Sequence, residues 1–295
     1  MWTPAFACPT CAIPLSAVWC LRCGRKYEAV DDIWRFLTPQ RREWLEPFVQ
    51  QYRAVRARDG YRQPSPEYYR QLPSVDAGDP DAGVWRIRRE TYRNLLRHVF
   101  AAAPQSIRVL DLGAGNGWLS HRLAELGHHP VAVDVVDDEM DGLRAARHFT
   151  SEFPRVQADF GELPFAPSQF DVAVFNASLH YAGDAMVALS HARQMLVPGG
   201  SLVVMDSPMF HADADGRAMN HAKARRFESS YGIATAIEPG IGFVTFGALE
   251  RAAAALQMQQ MFVPSRGPLA WRVRRQFARL RLRRAPAAFG LWVAR

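Results

Sequence analysis

Four cysteines, all within the first 23 residues, form two pairs whose spacing is typical of a metal site. The two Cys-x-x-Cys pairs are Cys8 with Cys11 and Cys20 with Cys23. Each pair lets two thiolates approach one side of a tetrahedral Zn²⁺, and four thiolates leave no coordination position open for catalysis. The sequence therefore predicts a structural zinc site. A redox role is less favoured, because two matched pairs imply one shared ion.

A second chemical pattern runs from Asp111 to Gly117, where an apolar stretch ends in an acid and opens into alternating glycines. Leucines follow at helical spacing, so the pattern predicts a strand, a tight turn and a helix. Glycines let a ligand approach the main chain without a Cβ in the way, and the free N–H groups of a helix start face that ligand. Asp134 ends the next apolar strand, where a carboxylate can accept hydrogen bonds from both hydroxyls of a ribose. These residues predict a nucleoside-binding turn.

Residue 118 separates two classes of nucleotide-binding turn. The dinucleotide fingerprint Gly-x-Gly-x-x-Gly/Ala ends in a small residue that allows helix and strand to pack closely. This chain has Trp118 at that position, which is far too large. The pattern present is Asp-x-Gly-x-Gly-x-Gly, with Asp111 before the glycines, and it resembles motif I of the class I S-adenosylmethionine-dependent methyltransferases.

This resemblance implies an α/β fold, with a Rossmann-like seven-stranded sheet whose last strand is antiparallel and with a small N-terminal zinc ribbon. It also implies S-adenosylmethionine as the cofactor. Asp111 and the turn would hold its amino acid end, Asp134 the ribose, and Asp159 the adenine amino group. The residues predicted to bind the cofactor are Asp111, Gly113, Ala114, Gly115, Asn116, Asp134, Val135, Asp159, Phe160 and Asn176. For Asp159, a solvated turn acid is the alternative.

The candidate catalytic residues are His180 and Tyr181, which follow the fourth predicted strand beside the expected methyl donor. Histidine has the intrinsic pKa to accept a proton near neutrality, although His180 fits equally well as a polar residue at a helix start. Asp206 and His211 lie at another strand exit and are weaker candidates for substrate contact. A base is needed only when the acceptor is a hydroxyl or a protonated amine.

The chain divides into three predicted regions: a zinc ribbon at 1–37, a helical linker or lid region at 38–104, and a methyltransferase domain at 105–295. In the linker, Trp85, Arg88 and Tyr92 could close over the cofactor, but a helix packed on the sheet explains them equally well. Within the domain we expect a helix over residues 139–149. Residues 211–247 are predicted to be irregular and to shape the acceptor pocket.

Charge and composition leave the methyl acceptor open. The net charge is +7, and seven of the fourteen residues from 271 to 284 are arginine, a strip that suits phosphates but can also be a solvated face. The leading hypothesis is a small-molecule acceptor, and RNA is the alternative, since zinc ribbons like this one occur on methyltransferases of both kinds. Against one RNA chemistry, the fourth strand ends without an Asn-Pro-Pro-Phe/Tyr motif. A third possibility is a scaffold that binds cofactor without turnover.

The expected location is the cytoplasm. All four cysteines are assigned to the metal site, so no disulfide framework is expected. The sequence has no apolar run of about 18 residues and no charged-then-apolar leader, so neither a transmembrane helix nor a secretory signal is expected. The sequence does not specify the oligomeric state.

Overall fold

The computed structural model describes residues 2–58, 65–101, 106–232, 237, 239–265 and 284–295. Its strands are β1 (Ala29–Val30), β2 (Ile33–Arg35), β3 (Arg108–Leu112), β4 (His129–Asp134), β5 (Arg155–Gln157), β6 (Phe170–Asn176), β7 (Leu196–Met205), β8 (Met209–Phe210), β9 (Val244–Thr245), β10 (Gln260–Pro264) and β11 (Gly290–Ala294). Its α-helices are α1 (Pro39–Arg58), α2 (Pro66–Gln71), α3 (Ala82–Leu95), α4 (Trp118–Glu125), α5 (Ala185–Met195), α6 (Asp213–Tyr231) and α7 (Phe246–Ala255). Short segments of π-helix at Leu96–Phe100 and of 3-10 helix at Leu143–His148 and Leu179–Tyr181 complete the described elements.

One sheet organises the chain, with the strand order β1-β2-β5-β4-β3-β6-β7-β11-β10. The strands from β5 to β7 are parallel, and β11 inserts antiparallel between β7 and β10. Seven of these strands, from β5 to β10, therefore form a doubly wound sheet whose last strand in the chain is reversed. The predicted Rossmann-like fold class is confirmed.

The sheet has nine strands instead of the predicted seven, because the N-terminal module extends it. Strand β2 pairs in parallel with β5, so that Ile33 lies opposite Arg155 and Arg35 opposite Gln157. An unpaired β5 would expose a row of backbone donors and acceptors, and β2 covers that edge. The N-terminal module is thus joined to the sheet by main-chain hydrogen bonds.

Apolar side chains fill both faces of the sheet, as a parallel sheet requires. On one face, α3 and α4 contribute Trp85, Leu95, Leu119 and Leu123 to a cluster with Val109 of β3. On the other face, α5 and α7 pack over the alternate residues of the same strands. The buried Cys8, Cys20, Tyr27 and Phe36 belong to this second cluster, so the zinc-ribbon module and the sheet share a core.

Two predicted segments differ from the structure. Residues 139–149 contain a short 3-10 helix in place of the predicted α-helix. The side chain of Asp138 accepts the backbone N–H groups of Met140 and Asp141, so the start of this segment forms a turn. Residues 211–247, predicted to be irregular, contain the long helix α6. This helix was missed because it buries only Gly216 and shows no apolar stripe in its sequence.

The arginine-rich segment 271–284 lies outside the described residues except for Arg284. The guanidinium of Arg284 lies 6.0 Å from the ring centroid of Phe210. Within the described ranges, no helix combines the length and the apolar character needed to cross a membrane.

Candidate active site

The glycine-rich turn between β3 and α4 adopts a backbone that only glycine tolerates well. Gly113, Gly115 and Gly117 have φ angles of 72°, 54° and 81°, all in the left-handed region. A Cβ built on Gly113 would lie 2.2 Å from the Cβ of Ser178, in the loop after β6. The turn therefore lies directly against the loop that follows the fourth strand of the domain.

Asp111 lies behind this turn. Its side chain is fully buried, and one of its oxygens accepts a 2.8 Å hydrogen bond from the hydroxyl of Ser120 in α4. Burial raises the pKa of Asp111 to about 7. The structure therefore uses this acid to join strand and helix, and it does not place the side chain in the wall of the cavity described next.

Asp134 is held in a fixed orientation at the end of β4. One carboxylate oxygen accepts the backbone N–H of Gly115 at 2.7 Å, and the other accepts that of Val136 at 2.8 Å. Burial raises the pKa of Asp134 to about 6. Each carboxylate oxygen can accept more than one hydrogen bond, so this side chain keeps capacity for a ligand.

The remaining predicted cofactor residues share one cavity with Asp134, at the carboxyl ends of β3, β4 and β6. Nine of the ten line it: Gly113, Ala114, Gly115, Asn116, Asp134, Val135, Asp159, Phe160 and Asn176. The side-chain oxygen of Asn176 is buried and has no partner among the described residues. In open α/β sheets, ligands bind where the strand order reverses, which here is between β3 and β6.

Helix α1, in the predicted linker or lid region, forms the opposite wall of this cavity, although the sequence analysis named no residue of this helix as a cavity residue. One face of the helix lines it, with Arg41, Leu45, Phe48, Tyr52 and Arg56. The sequence analysis placed residues 38–104 in a helical linker or lid region. It did not predict that one face of this helix lines the cavity.

Two ion pairs fasten α1 across the cavity. The guanidinium of Arg41 binds the carboxylate of Asp159, the acid predicted to hold adenine. Near the other end of the helix, Arg56 Nε donates to Asp141 at 2.5 Å, and the hydroxyl of Tyr52 donates to the same carboxylate at 3.2 Å. The helix is thus held at both ends by acids of the sheet domain.

Helix α3 supplies a third side of the cavity. Trp85 and Arg88 line it, and the guanidinium of Arg88 lies 5.0 Å from the centroid of a Trp85 ring. Tyr92 instead packs edge-on against Trp118, with their ring centroids 5.9 Å apart. Trp118 is 2% exposed and also packs against Trp85, so this tryptophan forms part of the wall and leaves the cavity open.

The two candidate catalytic residues occupy different environments. Tyr181 lines the cavity and packs on Phe48, with ring centroids 5.5 Å apart. His180 does not line it, and its Nδ1 lies 3.2 Å from the hydroxyl of Ser207. Burial, together with the nearby charges of Lys223 and Arg88, lowers the pKa of His180 to about 3. This imidazole is therefore neutral near pH 7 and a weak proton acceptor.

Asp206 and His211 also lie away from the cavity wall. One oxygen of Asp206 accepts a 2.6 Å hydrogen bond from Thr91, whose hydroxyl also lies 2.6 Å from that of Ser265. Burial raises the pKa of Asp206 to about 6. His211 stacks on Phe246 with ring centroids 4.5 Å apart. Both side chains have structural partners.

The four cysteines converge, with all four sulfur atoms within 4.8 Å of one another. The hydroxyl of Tyr27 lies 3.2 Å from the sulfur of Cys8. Four thiols at this separation form a donor set that fits one tetrahedral Zn²⁺.

Comparisons with known proteins agree with the geometry. Residues 110–204 match the family described as "Methyltransferase domain". The malonyl-(acyl-carrier protein) O-methyltransferase of Erwinia pyrifoliae is 30% identical over 117 residues, which are 40% of this chain and 43% of that protein. An uncharacterized methyltransferase of Mycobacterium tuberculosis is 38% identical over 98 residues, 32% of this chain and 37% of that protein. The crystal structure of an S-adenosylmethionine dependent methyltransferase from Mesorhizobium loti aligns with 68% of this chain and with 97% of that protein's chain. The sequence identity is 21% and the TM-score is 0.47.

Residues 110–204 are therefore a methyltransferase domain, and the class I resemblance predicted from the motif around Asp111 is confirmed. The matched segment runs from β3 into β7, and so contains the glycine-rich turn, Asp134 and the strand that leads to Tyr181. This chain spans less than half the length of the curated relatives that it matches.

Proposed function

We propose that this chain transfers a methyl group from S-adenosylmethionine to a small-molecule acceptor. The observation that carries the proposal is the single cavity lined by the glycine-rich turn, two fixed acids and Asn176. The residues present fit the cofactor. Asp134 offers its carboxylate to the ribose hydroxyls, Asp159 and Phe160 take the adenine, and the turn with Arg88 takes the amino acid end.

The bound cofactor supplies a sulfonium whose methyl carbon is already electrophilic. The task of the protein is therefore alignment, and holding reactants in line can supply several kcal/mol of rate enhancement. Helix α1 forms one wall of the cavity and so limits the directions from which solvent reaches it. The wall at Asn176 and Tyr181 is where we expect the acceptor to approach.

His180 is a poor candidate for a general base, because its pKa of about 3 leaves the imidazole with little affinity for a proton. We therefore propose an acceptor whose nucleophilic atom needs no strong base. The Erwinia pyrifoliae relative is named as an O-methyltransferase of malonyl-(acyl-carrier protein). A malonyl group ends in a carboxylate, which is ionised at neutral pH and requires no base.

A cavity with walls formed by the strand ends, α1 and α3 favours the small acceptor over RNA. The RNA alternative depends on the zinc ribbon and on the arginines of segment 271–284, of which only Arg284 is described. We further propose that Cys8, Cys11, Cys20 and Cys23 hold one structural Zn²⁺ as thiolates. Thiolate ligands persist in a reducing compartment, which supports the cytoplasm as the proposed location.

Isothermal titration with S-adenosylhomocysteine tests the cofactor assignment. The unmodified chain is expected to bind one equivalent at micromolar concentration. Asp134→Asn should weaken binding by about tenfold or more, because a hydrogen bond to a charged acceptor contributes about 1.5–3 kcal/mol. Glu250→Gln, which removes an exposed acid on α7, is the matched control and should bind normally. No binding by the unmodified chain would refute the proposal.

A further inference from the structure

A second cavity adjoins the cofactor cavity. It lies between α1 and α6, and the two cavities share Phe48, Tyr52, Arg56 and Tyr181 in their walls. The rings of Tyr52 and Tyr181 are perpendicular, with centroids 6.3 Å apart, at this shared boundary. A molecule in the second cavity would therefore lie next to the expected position of the methyl group.

The walls of this second cavity are connected to each other. At the end of α1, Arg58 donates to the carbonyl of Tyr231, the last residue of α6, at 2.7 Å. Gln51, in the middle of α1, accepts the backbone N–H of Ile237 at 2.7 Å. Helix α6 and Ile237 are thus attached to α1, and α1 and α6 form two walls of this partly open cavity, called here the chamber.

The charged side chains that line the chamber are all positive among the described residues. Its described lining contains four cationic side chains and no Asp or Glu, namely Arg56, Lys223, Arg226 and Arg284. Arg56 pairs with Asp141, and Arg226 Nη2 lies 3.5 Å from the hydroxyl of Tyr231. Lys223 and Arg226 are the two cations that α6 contributes.

The rest of the chamber is apolar and aromatic. Its lining includes Phe48, Val55, Met219, Phe227 and Ile237. Such a surface stabilises an apolar body by removing it from water, whereas it penalises a small hydrophilic anion. The two cations of α6, with apolar side chains near them, together select an amphiphilic acid.

We propose that this second cavity is the acceptor site and that its substrate is a small organic acid. The acid has an apolar body that packs on Phe48 and Phe227, and a carboxylate or phosphate group that faces Lys223 and Arg226. This inference rests on the proposed function. A lone pair of the acceptor forms the new bond to the methyl carbon while the carbon–sulfur bond breaks towards sulfur. Any proton left on the acceptor atom passes to water.

Binding of three matched probes, measured by titration in the presence of saturating S-adenosylhomocysteine, tests the acceptor class. The probes are 2-naphthoate, 2-naphthyl phosphate and the neutral 2-naphthamide. At least one anion should bind about tenfold more tightly than the amide, because a charge-assisted hydrogen bond is worth about one decade in affinity. Whichever anion binds more tightly identifies the preferred acidic group.

Substitutions on α6 test whether Lys223 and Arg226 bind the anionic group of the probe. Lys223→Gln/Arg226→Gln should reduce binding of the anion to the level of the amide, and should leave S-adenosylhomocysteine binding unchanged. Arg225→Gln is the matched control, since Arg225 lies on the same helix, is exposed and does not line the chamber. It should change neither affinity.

The outcomes separate the two proposals. Failure of the unmodified chain to bind S-adenosylhomocysteine refutes the proposed function. Normal binding of S-adenosylhomocysteine refutes only the acceptor proposal if neither anion binds better than the amide, or if the double variant keeps the preference. A short RNA oligonucleotide that displaces the anion and binds more tightly would also overturn the small-acid assignment.

Discussion

The direction in which each of two buried carboxylates points follows from the groups that donate hydrogen bonds to it. Asp134 is held by two backbone N–H groups and faces the cavity, whereas Asp111 is held by Ser120 and faces α4. The sequence analysis predicted that both acids bind the cofactor, Asp111 at its amino acid end and Asp134 at the ribose. It could not distinguish their directions, because the two acids lie on neighbouring strands and the face that each one points to depends on the register between β3 and β4.

The pH dependence of cofactor binding should report the ionisation of Asp134. Burial raises the pKa of this carboxyl to about 6, so it is ionised at pH 7.5 and largely protonated at pH 5. Since the carboxylate accepts better from ribose hydroxyls than the neutral acid does, affinity for S-adenosylhomocysteine should fall by about tenfold between these values. Titration at a series of pH values measures this. Asp134→Asn should lack that decrease, and an equal decrease in the variant would contradict the assignment.

At the scale of elements, the stability of the β3–α4 turn depends on the space around Gly113 as well as on the backbone angle of that residue. Gly113 and Gly127 both have positive φ, at 72° and 84°. A Cβ on Gly113 would overlap Ser178, but one on Gly127 would meet nothing within 4 Å. The two positions therefore separate backbone strain from steric overlap.

Gly127→Ala should lower the free energy of unfolding by about 1 kcal/mol, through strain alone. Gly113→Ala should lower it by about 2–4 kcal/mol, since overlap adds to strain. It should also abolish S-adenosylhomocysteine binding by displacing the turn. Urea unfolding and calorimetry measure the two effects. Equal losses of stability in the two variants would show that the contact with Ser178 is unimportant.

Helix α1 is held over the cavity by the ion pair between Arg41 and Asp159. Their side chains are 28% and 10% exposed, so the pair is partly protected from solvent. A double-mutant cycle with Arg41→Met and Asp159→Asn should give a coupling energy of about 1 kcal/mol in urea unfolding. Additive effects of the two substitutions would mean that this pair does not fasten the helix.

Elements with strong apolar periodicity were predictable from the sequence, and others were not. Leu119 and Leu123 of α4 recur at helical spacing and are fully buried. Helix α6 lacks such a stripe because it covers a cavity and solvent more than it covers the core. Its sequence signals were the acids Asp213 and Asp215 in its first turn and Gly232 after its last residue. The burial of α1 was predictable, but its position over the cofactor cavity depends on distant contacts.

At the scale of the whole molecule, the N-terminal module is continuous with the sheet. Strand β2 pairs with β5, and Tyr27 and Phe36 stack within the shared core, with ring centroids 4.7 Å apart. The boundary at residue 37 stays a prediction. The sequence motif predicted the metal ligands, but which edge of the sheet the module covers depends on long-range pairing that has no local signal.

Because of this shared core, loss of the metal should affect the whole chain. The purified protein is expected to contain one zinc per chain by elemental analysis. Cys8→Ser/Cys20→Ser should remove it and lower the melting temperature, since both residues are buried in the main core. Leu21→Ser is the matched control, because Leu21 lies inside the second cysteine pair but is 79% exposed, and it should keep its zinc. An unchanged zinc content in the double variant would contradict the assignment.

The central claim is that S-adenosylmethionine binds between α1 and the ends of β3 and β4. A crystal structure of the chain with S-adenosylhomocysteine tests it most directly. The account predicts ribose hydroxyls within hydrogen-bond distance of Asp134 and an adenine ring against Phe160. Ligand bound elsewhere, or a ribose that makes no contact with Asp134, would contradict it.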